Sequence, residues 1–142
     1  MYRIMCLDYG DVRIGVALSD LTHTLASGFE TYTRKSIKED IIHLKKTINE
    51  NNVNKILFGL PLNMDGTESN QTIKTKNFAE LLRSNLDDNI EIIFLDERLT
   101  SLIAEKMLIS ADVSRQKRKM VIDKISATII LQDYLDNLKR SL

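Results

Sequence analysis

The order in which two hydrophobic periods alternate constrains this chain most. Two short apolar runs, Arg3-Ile4-Met5-Cys6-Leu7-Asp8 and Arg13-Ile14-Gly15-Val16-Ala17-Leu18, meet through Tyr9-Gly10-Asp11, the pattern of two strands joined by a tight antiparallel turn. A third strand is expected through Phe29–Thr33. The period then changes: Ile37, Ile41, Leu44 and Ile48 recur at spacings of three and four, which puts one apolar stripe on a helix. Lys55–Gly59 reads as a buried strand. Ile73, Phe78, Leu81 and Leu82 predict a second helix closed near Asn85, and Ile90–Leu95 another strand. A helix around Leu102–Ser110 and a long one from about Arg115 to Leu138 complete the chain. Strands separated by helices need crossover connections and pair in parallel, whereas the opening hairpin pairs antiparallel. The expected class is therefore α/β, a mixed β-sheet flanked by helices.

A length of 142 residues with 43% hydrophobic composition suffices for one hydrophobic core and is short for two, so residues 1–142 are expected to form a single domain. The lone Cys6 excludes an internal disulfide and fits a reducing compartment. No apolar run approaches the length of a membrane span, and Asp8 interrupts the stretch where an export signal would still need apolar residues; a cytoplasmic protein with no membrane partner is expected. Twenty basic residues balance twenty acidic ones, which argues against gripping nucleic acid by bulk charge.

In such sheets chemistry collects beyond strand ends, where side chains from separate strands converge. Asp8 closes the first strand and Asp96-Glu97 the last. In an extended strand Asp96 and Glu97 point to opposite faces, so at most one of them can turn towards Asp8. A third acid, Asp123, lies in the final helix among Ile122, Ile125, Ile129 and Ile130. Taken singly, each acid has an ordinary explanation as a turn former, a cap or a solvated residue. Together, three carboxylates from remote segments form an oxygen-only donor set suited to Mg²⁺ or Mn²⁺ and to phosphoryl transfer.

The last helix opens Ser114-Arg115-Gln116-Lys117-Arg118-Lys119. Four cations in its first turns oppose the macrodipole, so stability does not explain them; they read either as a phosphate-binding helix start or as a solvated charge face. Residues 85–97 carry five acids and no base, and residues 98–119 six bases and two acids; overall neutrality hides an acidic centre beside a basic rim. The loop Gly59-Leu60-Pro61-Leu62-Asn63-Met64-Asp65-Gly66-Thr67 reads either as a connection shaped by its turn residues or as a lip whose Asn63 and Thr67 donate to phosphate or ribose. His23 and His43 complete no catalytic or zinc pattern and are expected at the surface, and Cys6 is expected in the core.

Four motifs in order resemble the YqgF family, also called RuvX, of Holliday-junction-resolvase-like proteins assigned to ribosomal RNA processing. They are Leu7-Asp8-Tyr9-Gly10 with Arg13–Ala17 and Ser19-Asp20; Gly59–Glu68; Asp96-Glu97-Arg98-Leu99-Thr100; and the tail from Ala111 through Lys119, Ile122-Asp123-Lys124 and Ile130–Asp136. The resemblance spans nearly the whole chain. It implies an RNase H-like fold and a cytoplasmic, metal-dependent nuclease acting at the 5′ end of the small-subunit ribosomal RNA precursor. It also implies Asp8, Glu97 and Asp123 as metal-binding and catalytic residues, favouring Glu97 over Asp96. Val12 stands where a Lys is usual, Ser69-Asn70 follow Glu68 where Gly is common, and Ser126 replaces an Ala.

The leading expectation is an endonuclease in which Asp8, Glu97 and Asp123 hold Mg²⁺ or Mn²⁺ while Arg13, Arg98, Arg115, Lys117, Arg118 and Lys119 position the phosphates of a structured precursor RNA. Ribosomal partners, and a monomer or weak homodimer, are expected with it. Two alternatives stand beside it: cleavage of branched DNA, and a non-catalytic ribosome-assembly factor.

Overall fold

The computed structural model describes residues 1–97, 106–111 and 114–140. Its strands are β1 (Arg3–Tyr9), β2 (Arg13–Ser19), β3 (Ala26–Thr33), β4 (Val53–Leu60) and β5 (Glu91–Asp96). Three helices, α1 (Ile37–Glu50), α2 (Asn70–Arg83) and α3 (Arg115–Arg140), alternate with them from β3 onwards. The five strands form one sheet in the order β3-β2-β1-β4-β5. β1 pairs antiparallel with β2 and parallel with β4; β2 pairs antiparallel with β3, and β4 parallel with β5. Residues 106–110 are helical, within the stretch where a helix is expected; the rest of that stretch lies outside the described residues.

Alternation along β1 divides the core. Met5, Leu7 and Tyr9 face one side with Ile14, Val16, Ile56 and Phe58, under the apolar faces of α1 and α2. Ile4 and Cys6 face the other, with Ala17 and Leu57, under Ala127, Ile130, Leu131 and Leu135 of α3. Period-two geometry puts Asp8 on this second side.

Local chemistry sets the helix starts. The Ser36 hydroxyl accepts from the Glu39 N–H at the start of α1. Ser69 and Thr72 form a reciprocal capping box on α2, and the Ser114 hydroxyl accepts from the Lys117 N–H before α3, each satisfying N–H groups left open by the first turn.

Some expectations need correcting. β3 begins at Ala26, ahead of Phe29, which is exposed on this edge strand. Ile73 and Leu81 face outward; α2 instead buries Thr72 and Thr75 beside Phe78, Ala79 and Leu82. Threonine is tolerated there because its hydroxyls donate to the Pro61 and Gln71 carbonyls. The histidines are not free surface residues. His23 bonds the Tyr2 carbonyl through Nε2 at 2.9 Å, and His43 meets Glu30 and stacks on Tyr32.

Candidate active site

Glycines let the acidic positions converge. Gly15 pairs with Asp8 across β1 and β2. A Cβ on Gly15 would lie 2.1 Å from the Asp123 carbonyl oxygen and 2.7 Å from the Lys124 nitrogen. The missing side chain thus lets the α3 backbone rest on the sheet beside Asp8. Gly59 does the same for the other acid, since its Cβ would lie 2.7 Å from Glu97 Oε2 and 2.8 Å from Ile130 Cδ1. Glu97 follows β5 directly, and its N–H donates to the Leu60 carbonyl at 3.1 Å. It continues the side taken by Ile93 and Leu95, which pack under α3, whereas Asp96 is exposed.

Asp8 and Glu97 are each only 8% exposed. Burial, and after it the Asp123 charge, raises the Asp8 carboxyl above the ordinary carboxylate range. Burial, then the charges of Asp8, Asp123 and Asp96, raises Glu97. Glu97 Oε2 is buried without a hydrogen-bond partner among the described residues. Asp123 is also raised by burial, but Arg13 pulls it back, with Arg13 Nε 3.4 Å from Asp123 Oδ2. The same carboxylates, after burial, push the Cys6 thiol up, which leaves it a packing residue without nucleophilic character.

Three acids therefore share one electrostatic site at the ends of β1 and β5 and on α3. Among the described residues no three acidic, histidine or cysteine side chains are already gathered at metal-holding distance, and Asp123 leans on Arg13. The donor chemistry nonetheless fits a hard cation: oxygen ligands only, two of them buried and mutually repelling, one with an orphaned oxygen.

Of the expected phosphate contacts, Arg13 reaches this site, but its guanidinium faces Asp123. Arg115 and Lys117 are exposed, and Arg118 half-buried, at the start of α3. Arg98 and the Lys119 side chain lie outside the described residues. Asn63 and Thr67 close their own loop: Asn63 Nδ2 donates to Thr67 Oγ1, and Thr67 Oγ1 to Asp65 Oδ1. Gly66 takes φ 88°, a turn conformation that glycine adopts without strain. Sequence reasoning missed Gly15 and Gly59; an isolated glycine inside an apolar strand was the available signal.

A five-stranded mixed sheet in this order, with helices packed on both faces, is an RNase H-like fold. RuvC from T. thermophilus in complex with a Holliday junction superposes with a TM-score of 0.56 at 9% identity, covering 98% of this chain and 96% of that one. The fowlpox virus resolvase bound to Holliday junction DNA gives 0.57 at 14% identity, covering 96% and 98%. These likenesses establish the fold alone. The chain itself belongs to the RuvX family, described as Holliday junction resolvase, which it matches over residues 2–137. A relative from Clostridioides difficile is 52% identical over 134 residues, 94% of each chain. Another, from Caldanaerobacter subterraneus, is 49% identical over 140 residues, 98% of this chain and 99% of its own. Both carry the name "Putative pre-16S rRNA nuclease".

Proposed function

We propose that this chain is a metal-dependent endonuclease that hydrolyses phosphodiester bonds at the 5′ end of precursor 16S rRNA, in the cytoplasm and alongside ribosomal partners. The observation that carries the reading is the buried, mutually repelling pair Asp8 and Glu97, with Asp123 beside them and one Glu97 oxygen unpartnered. A fold gains no stability from such an arrangement; a site that receives a cation does.

In this reading Asp8, Glu97 and Asp123 hold Mg²⁺ or Mn²⁺. When bound, the ion supplies acidification of the attacking water and neutralisation of the departing 3′-oxygen. Arg13 plays a double part. Its guanidinium neutralises Asp123, and an arriving phosphate, itself a strong guanidinium ligand, competes for it. Arg13 moving to phosphate releases Asp123 towards Asp8 and Glu97, which couples substrate arrival to completion of the acidic site. Arg115, Lys117, Arg118, Lys119 and Arg98 hold the flanking backbone. Asn63 and Thr67 contribute only after their loop bonds open.

The test compares precursor 16S rRNA with a four-way DNA junction, at matched salt, using purified protein with Mg²⁺ or Mn²⁺. RNA cleavage at a discrete 5′ position, with the junction left intact, supports the reading. Junction cleavage alone replaces it with the resolvase function, and metal-independent behaviour with no product replaces it with an assembly factor.

A further inference from the structure

The turn that follows Asp8 is held from the far side of the sheet by an arginine and a glutamine. Gly10 N–H donates to the Arg13 carbonyl at 2.9 Å, leaving Asp11 and Val12 as a two-residue hairpin loop. Such loops are favoured when they take positive φ, which matches the strand twist. Neither residue does so; the positive-φ non-glycine residues among those described are His23 and Asn52. The loop is instead fastened from outside. The Arg34 backbone N–H donates to the Val12 carbonyl at 2.8 Å, and Arg34 Nη1 donates to the carbonyls of Gly10 at 3.0 Å and Asp11 at 3.3 Å. Gln71 Nε2, from α2, donates to the Tyr9 carbonyl at 2.9 Å. All four carbonyls from Tyr9 to Val12 are thus taken by two residues. The Tyr9 ring is pinned as well, between the Arg34 guanidinium at 4.5 Å and Phe78 at 4.3 Å.

Arg34 is itself oriented. Its Nε donates at 3.0 Å to Asp40, which is fully buried and also accepts from the Tyr32 hydroxyl and the Lys35 N–H. That is more apparatus than a surface hairpin needs for stability. What the loop carries explains it: Asp8 immediately before and Arg13 immediately after.

We propose that Arg34 and Gln71 are positioning residues that fix the Tyr9–Val12 backbone from the face opposite the acids, and so hold Asp8 in place for cation binding and Arg13 in place for its exchange between Asp123 and phosphate. This rests on the nuclease reading above. Among the described residues neither Arg34 nor Gln71 bonds Asp8, Glu97 or Asp123; each acts on the turn through main-chain carbonyls. Arg34→Lys keeps a positive charge beside Asp40 but loses the planar fork that reaches the carbonyls. Gln71→Met keeps length and helical preference but loses the donor.

Both substitutions are made in the full chain, with folding checked by circular dichroism. Amide exchange of Gly10 in the metal-free protein, the Mn²⁺ titration midpoint, and RNA cleavage kinetics are then measured. Gly10 exchange and the Mn²⁺ midpoint should each rise by about tenfold, with kcat lowered and the KM for RNA unchanged. Folded variants with wild-type Gly10 exchange, or with Mn²⁺ midpoints within about threefold of wild type, overturn the proposal. If Arg34→Lys fails to fold, Gln71→Met carries the same decision. A wild-type protein that neither binds Mn²⁺ nor cuts RNA overturns the nuclease reading and this proposal together; a wild-type protein that does both, with unaltered variants, overturns the positioning role alone.

Discussion

Gly15 is the point at which packing and chemistry are hardest to separate, and Gly15→Ala tests how they are joined. The added methyl would sit 2.1 Å from the Asp123 carbonyl oxygen, 2.2 Å from its carbon and 2.7 Å from the Lys124 nitrogen. All three are backbone atoms of a 26-residue helix, so no side-chain rotation relieves the clash. Real contacts of this kind start near 3.0 Å, and α3 has to withdraw by about 1 Å, opening contacts at Ala127, Ile130 and Leu131. Overpacking of this type costs about 1–3 kcal/mol or more, and for a chain of this size each kcal/mol lowers the melting temperature by about 3–5 °C. Asp123 moves with the helix, and a misplacement of about 1 Å at a catalytic group lowers the rate by about 100-fold. Gly28→Ala is the internal control. Its Cβ meets the Lys124 Cγ at 2.9 Å and Cδ at 3.1 Å, a flexible side chain that can step aside. Thermal melts and RNA cleavage on the two variants decide the matter: Gly15→Ala should lose both stability and activity, Gly28→Ala little of either. A Gly15→Ala protein with wild-type melting and cleavage would refute the seating of α3 on the sheet.

Three further outcomes are expected. Gly59→Ala, whose Cβ would meet the Glu97 carboxylate and the end of Ile130, should fold with a modest loss, because both neighbours can rotate, yet bind Mn²⁺ more weakly; isothermal titration reads this, and unchanged affinity would count against Glu97 as a ligand. Replacing Arg115, Lys117 and Arg118 together by Gln should weaken RNA binding, flatten its salt dependence and leave kcat unchanged; a binding curve insensitive to the three changes would remove α3 from the RNA surface. The metal-free protein should become less stable as pH rises from the ordinary carboxylate range towards and beyond neutrality. Asp8 and Glu97 hold protons in the folded state that the unfolded chain has already released, so stability is lost as pH climbs through their raised values. Melting curves with and without Mg²⁺ check this, the slope shrinking when the ion is present; a flat metal-free profile contradicts the burial of the pair.

Much of the fold was legible because its signals are local. The two periods, the opening of the last helix at Ser114, and the antiparallel opening with parallel crossovers follow from residue spacing alone. The site was legible in part for the same reason: Asp8 and Asp123 stand out against apolar neighbours. Choosing between Asp96 and Glu97 was not open to spacing, since it depends on which face of β5 lies under α3. The partner of Arg13 was equally hidden, because a long cation beside Asp8 in sequence takes the acid on a helix more than a hundred residues away. Arg34 and Gln71 left no trace, since they act on backbone carbonyls, which every sequence has. Asn63 and Thr67 read equally as turn formers and as ligand donors, because turn-closing residues and phosphate-binding residues share the same polar groups.

The central claim is that Asp8, Glu97 and Asp123 form one cation-dependent centre for cutting RNA. Its most direct test is single-turnover cleavage of precursor 16S rRNA, started by adding Mn²⁺, with wild-type protein and Asp8→Asn run at saturating enzyme. The account predicts product from the wild type and a rate lowered by more than about 100-fold in the variant, with RNA affinity and fold retained. Equal cleavage by the two proteins, or product formed without the metal, would contradict it.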